Sequence, residues 1–195
     1  MLKQINTIQF TLPAWITDYV GNTETIDSHE ARMEFVIGAA RRNVQEQTGG
    51  PFAAAIFESD SGRLISLGVN LVTSQGLSIL HAEMVAISLA QKQLDNYDLG
   101  AQGMASHEIV TSTEPCAMCF GAIPWSGVRR VVTGARDEDA RNIGFDEGPK
   151  VSDWQAALNE RQIEVVSDVR RAEARQVLDE YLHSGGQIYN ARVLT

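Results

Sequence analysis

Cysteine is scarce in this 195-residue chain, which carries only Cys116 and Cys119. A pair three positions apart cannot build the disulfide framework of a small secreted domain. Long apolar runs are missing as well. The stretch from Ile8 to Ile16 is interrupted by Thr11 and Pro13, far short of the roughly 20 apolar residues that span a bilayer. It also lacks the basic leader and small-residue cleavage site of a signal peptide. A reducing cytoplasm is therefore the expected compartment, with no membrane as a partner. Basic clusters are the third absence. Sixteen lysines and arginines face 25 aspartates and glutamates, for a net charge of −9. The short pairs Arg41–Arg42, Arg129–Arg130 and Arg170–Arg171 read as solvated element faces. Proteins that grip nucleic acid draw affinity from neutralising phosphates and releasing counterions. Nucleic acid is thus an unexpected partner and a small molecule an expected one.

What is present reads as one folded domain. Residues 1–26 look like an appendage with an extended run near Ile5–Leu12. From Asp27 or Ser28 a helix is predicted to about Gln47, its apolar residues Met33, Val36, Ile37, Ala40 and Val44 recurring at helical spacing. Gly49–Gly50 should end it, and Pro51 prevent its return. Phe52–Phe57 reads as a buried strand, joined through Asp60-Ser61-Gly62 to another within Arg63–Val72. A helix over 81–93, strands over 108–112, 128–134 and 163–166, and helices over 116–125, 154–159 and 172–183 complete the pattern, with a glycine-punctuated stretch over 137–150. Alternating strands and helices argue for an α/β sheet with helices on both faces, a three-layer α/β/α domain over 27–186. Residues 187–195 form a tail.

The chemistry resides in two short motifs, His81-Ala82-Glu83 and Pro115-Cys116-Ala117-Met118-Cys119. A catalytic zinc takes three protein ligands from nitrogen, sulfur or oxygen and keeps its fourth position for water. One histidine and two cysteines meet that count, and Cys-x-x-Cys places two sulfurs one helical turn apart. Helix N-termini favour thiolate over thiol. The bound metal lowers the pKa of its water to about 7. Glu83, two residues from the His81 ligand, can then move protons, general acid/base work worth typically ~10²–10⁴-fold. A thioredoxin-type pair would need neither Pro115 nor a distant His-x-Glu. A structural zinc would want a fourth ligand, for which His29, His107 and His183 have no paired spacing.

His-x-Glu followed by Pro-Cys-x-x-Cys is the signature of zinc deaminases. The chain resembles the cytidine deaminase-like superfamily and, within it, the guanine deaminases. The likeness runs over roughly residues 30–150, through Gly49-Gly50-Pro51-Phe52-Ala53-Ala54-Ala55-Ile56, Asn70, Thr113-Glu114-Pro115-Cys116-Ala117-Met118-Cys119, Trp125 and Gly144-Phe145-Asp146-Glu147. It implies a central mixed sheet, one catalytic zinc per chain and a homodimer. It further implies that Phe52 packs on the substrate ring, Asn70 reads its polar edge, Ala82 offers backbone and Trp125 walls the pocket. Glu147, where the family has an aspartate, would contact the 2-amino side of guanine and carry protons, and Asp146 beside it would be a further substrate-binding residue. Tyr189 would belong to a C-terminal lid. The implied reaction is hydrolysis of guanine to xanthine and ammonia. Rival readings are another aminated ring such as a triazine or pterin, a tRNA adenosine deaminase, and a non-catalytic zinc-binding module.

Overall fold

Residues 53–57 are wholly buried, and consecutive side chains enter different cores. Ala53, Ala55 and Phe57 join one apolar cluster, while Ala54 and Ile56 join another. A strand sends successive side chains to opposite faces, so a continuously apolar strand demands cover on both sides. That demand sets the architecture. The structure is a computed structural model describing residues 4–190.

Five strands, β1 (Ala53–Glu58), β2 (Leu64–Val69), β3 (His107–Thr113), β4 (Arg130–Ala135) and β5 (Glu164–Val166), form one sheet in the order β2-β1-β3-β4-β5. β1 is antiparallel to both neighbours, whereas β3, β4 and β5 run parallel. The mixed α/β sheet is the expected one. One cluster lies between the sheet and helices α2 (His29–Gln45) and α8 (Arg171–His183). The other lies beneath α4 (Ala82–Gln93), α5 (Ala117–Ser126) and α7 (Trp154–Asn159). Three short helices, α1 (Trp15–Val20), α3 (Val72–Gln75) and α6 (Asp137–Asn142), fill connections. Among the described residues no helix is long and apolar enough to cross a membrane.

Two sequence expectations need correction. Helix α2 starts where Ser28 accepts a hydrogen bond from the Ala31 amide at 3.1 Å, but it stops at Gln45, before the glycine pair. Gln47, at φ 56°, already turns the chain out of the helix. The stretch over 1–26, expected to be an appendage with an extended run near residues 5–12, also holds an unpredicted helix, α1. Trp15 and Ile16 of α1 belong to the main apolar cluster. Six residues offer too little periodicity to betray a helix, and this one is held by tertiary contacts: Tyr19 donates to the Phe35 carbonyl at 2.6 Å, and Trp15 Nε1 to Thr48 Oγ1 at 3.0 Å.

Candidate active site

Two helix starts converge at the carboxyl end of β3. His81 and Cys116 are the extended N-cap residues of α4 and α5, and Cys119 lies in the first turn of α5. Glycine and alanine set the placement of α4. A side chain at Gly68 of β2 would overlap the Ala82 carbonyl and the Ala86 amide, so α4 lies directly on the strand backbone. The His81 imidazole, Cys116 sulfur and Cys119 sulfur end within 4.8 Å of one another. Nδ1 of His81 is 3.4 Å from Sγ of Cys116. Tetrahedral zinc with ordinary Zn–N and Zn–S bonds would hold such atoms about 3.6 Å apart, so the donor set fits this ion. The other histidines stay apart. His29 pairs with Glu108, and the Nδ1 atoms of His107 and His183 lie 2.7 and 2.6 Å from the carbonyls of Leu99 and Asp179. Three such ligands, with no fourth among the described residues, make an open, catalytic type of site.

The electrostatics call for a cation. A hydrogen bond from Cys119 holds the Cys116 thiol down at about 4, against the opposing cost of burial and with help from His81. The same bond to Cys116, together with burial, pushes the Cys119 thiol well up. Burial, which disfavours imidazolium, is outweighed at His81 by Cys116, Glu83 and Glu147, so its pKa is raised. Burial and then the Cys116 thiolate lift Glu83 to about 7. Burial, Cys116 and Glu83 lift Glu147 to about 8. Negative groups crowded out of water in this way are relieved by a dication.

Beside the triad lies a cleft of about 200 Å³. An apolar cavity of about 150 Å³ admits benzene, so there is room for a small fused ring. Of the expected substrate residues Phe52, Asn70, Glu83, Asp146, Glu147 and Tyr189 line it, with His81 and Cys116. Register explains Phe52 and Asn70: β1 pairs Ala54 with Thr111 and Ala53 with Val69, bringing the start of β1 and the end of β2 to the carboxyl end of β3. Asn70 is buried, and its Oδ1 also accepts from the Val72 amide at 3.2 Å. Glu147 is tied to the metal turn by its carbonyl, which accepts from the Ala117 amide at 2.9 Å. Asp146 sits at the rim, exposed, with Oδ1 capping the Gly148 amide at 2.9 Å.

One expectation fails within the chain. Trp125 is 84% exposed and does not wall this cleft. Helical spacing puts it seven residues from exposed Met118, on the face of α5 opposite Cys119 and Ile123. Ala82 is fully buried, and the expectation there concerns its backbone rather than its side chain. Only its amide, one of the free donors at the start of α4, could serve a ligand. Sequence reasoning also missed several residues. Thr113, Glu114, Ser78, Val72, Phe145 and Asn190 complete the lining. Phe145 packs edge-on against Phe52 and Tyr189, each at 5.0 Å between ring centroids. Asn190 accepts from the Asp146 amide and donates to the Gly144 carbonyl, both at 2.9 Å. Their roles depend on contacts across more than forty positions, which no local pattern encodes.

A family model described as the cytidine and deoxycytidylate deaminase zinc-binding region matches residues 26–135. The chain belongs to this deaminase family. It is a zinc-dependent aminohydrolase, and its His81–Cys116–Cys119 cluster fits a single zinc site. Among solved structures, the deaminase is similar to guanine deaminase from Nitrosomonas europaea, with TM-score 0.88 and 43% identity over 93% of this chain and 100% of that one. Among characterised sequences, guanine deaminase of Bacillus subtilis is 35% identical over 136 residues, 70% of this chain and 83% of its own length. The tRNA-specific adenosine deaminase of the same organism is 33% identical over 152 residues, covering 78% and 87% of the two chains.

Proposed function

We propose that this deaminase hydrolyses free guanine to xanthine and ammonia. The observation that carries the reading is the pair of buried carboxylates, Glu83 and Glu147, facing one small cleft beside the triad. Its similarity to the two guanine deaminases supports the same substrate. His81, Cys116 and Cys119 would hold a zinc ion, which would supply Lewis acidity and lower the pKa of a water to near neutral. Glu83 takes the proton of the attacking water and delivers it to the ring nitrogen beside the amino-bearing carbon. The hydroxyl now on that carbon gives up its proton to the amino group, a carbonyl forms as the C–N bond breaks, and ammonia leaves. Glu147 holds the 2-amino side and serves as the second proton carrier. Phe52 packs on the ring, Asn70 reads its polar edge, and Tyr189 closes the cleft. Asp146 shapes the rim through the turn it caps.

A free base suits the site better than a tRNA. The chain carries a net charge of −9, and Tyr189 and Asn190 of the tail line the cleft, which leaves room of about 200 Å³. The reading also includes a reducing compartment, where both thiols stay available to the metal. It further includes a homodimer. Met118, Gly121 and Trp125 form an exposed stripe on α5, and Trp125 alone leaves a large apolar ring in water. A second copy covering that stripe would give Trp125 the burial it lacks.

The test is ammonia release by zinc-loaded protein from guanine, adenine, cytosine, an amino-triazine and tRNA, with Glu83→Gln as control. Turnover of guanine that vanishes in the control is the expected result. Deamination of another ring with guanine untouched would overturn the substrate assignment and leave the metal chemistry standing.

A further inference from the structure

Gly49 and Gly50 lie outside α2, and neither has a positive φ. Neither a helix stop nor a left-handed turn therefore explains them. Their surroundings do. A side chain at Gly49 would overlap the carbonyl of Asn70 and approach Nδ2 of Asn43 to 2.8 Å. At Gly50 it would overlap the Tyr189 hydroxyl and come within 2.9 and 3.0 Å of Cε1 and Cζ of the same ring. Two cleft residues thus press against two bare backbone positions. Buried Asn43 fixes this strip from below, donating to the Gly50 carbonyl at 2.8 Å and the Asn70 carbonyl at 3.0 Å. The Tyr189 hydroxyl itself is sealed off with no hydrogen-bond partner among the described residues. It is held by fit rather than by a polar contact.

We propose that Gly50 is a positioning residue whose missing side chain forms the socket for Tyr189, so that the tail closes the substrate cleft only because this position is bare. Tyr189 seated on Gly50 packs its ring against Phe145, and next to it Asn190 bonds both backbone sides of the loop that carries Asp146 and Glu147. A single methyl group at Gly50 displaces the tyrosine and frees that loop. The idea rests on the cleft being the substrate site, yet the seat itself is independent of which base is deaminated.

The experiment compares zinc-loaded wild type, Gly50→Ala, Tyr189→Ala and the double variant. The first readout is hydrogen exchange at the Asp146 amide, which Asn190 protects. Exchange should be faster in both single variants and no faster in the double. The second is steady-state kinetics, in which KM for guanine rises about three- to tenfold with loss of the aromatic contact, again without a further rise in the double. Tyr189→Phe, which removes the atom that overlaps first, should restore part of the loss in Gly50→Ala. Wild-type exchange in Gly50→Ala, or effects that multiply in the double variant, would overturn the proposal. If Gly50→Ala does not fold, recovery of folding in the double supports the socket, and failure of the double refutes it. Absence of guanine turnover in wild type sinks the substrate reading alone, since the exchange experiment uses no substrate.

Discussion

Replacing Glu83 by glutamine should abolish activity and, in the zinc-free protein, raise stability at alkaline pH. The carboxyl is 6% exposed and its pKa lies at about 7 rather than the ordinary 4.5, chiefly through burial and secondarily through the Cys116 thiolate. A folded-state pKa above the unfolded one means that the folded chain holds its proton more tightly. Below about pH 4.5 the group is protonated in both states and costs nothing. As pH climbs to 7 the unfolded chain ionises freely while the folded one resists, so stability falls and stays lower above pH 7. At about 1.4 kcal/mol per pKa unit, the cost is on the order of 3 kcal/mol. An amide carries no charge to desolvate, so Glu83→Gln removes that cost. For a chain of this length the gain corresponds to roughly 6–12 °C in Tm. Calorimetry of chelator-treated protein at pH 8 and pH 4.5 reads it directly, with the gain at pH 8 and little difference at pH 4.5. Zinc should shrink the gain, because a dication beside the carboxylate compensates its charge. Activity should drop about 10²–10⁴-fold, the usual worth of general acid/base catalysis. Equal or lower Tm at pH 8, or a loss of activity under tenfold, would refute the reasoning.

Other expectations follow from the same structure. Cys119→Ser removes a fully buried sulfur from the triad. Zinc content by mass spectrometry should fall to substoichiometric levels while circular dichroism still shows the α/β fold. At the opposite end of β3, the buried Glu108 accepts hydrogen bonds from Arg32 at 2.7 Å and Arg130 at 3.0 Å. Glu108→Ala leaves the Arg32 guanidinium, 3% exposed, without its counter-charge, and should cost about 3–5 kcal/mol in urea unfolding. Residual activity per folded molecule should be retained, because five residues of strand, about 17 Å, separate Glu108 from Thr113. Trp125→Asp puts a charge on the exposed face of α5 and, on the homodimer proposed above, should shift sedimentation from dimer to monomer. Unchanged sedimentation would place any interface elsewhere.

The metal chemistry was legible in the amino-acid sequence because its geometry is nearly local. His-x-Glu at one helix start and Pro-Cys-x-x-Cys at another bring the candidate ligands and the proposed proton carrier within a turn of each other, and tertiary structure had only to join two helix ends. The sheet was legible for a related reason: apolar runs such as Phe52–Phe57 can be buried only between two layers. Other features were settled by contacts that no short pattern carries. Trp125 points to solvent because its place on α5 is seven residues from Met118, a direction that depends on which face Cys119 must give to the metal. Helix α1 exists because Trp15 and Ile16 find the core, not because six residues favour a helix. The glycine pair reads locally as a helix stop, yet the fold makes it a seat for Asn70 and for Tyr189, which lies 139 positions beyond Gly50. Composition and spacing determine which groups a chain can bring to a reaction. Only packing decides which of them face the same cavity, since that depends on where distant segments exclude one another.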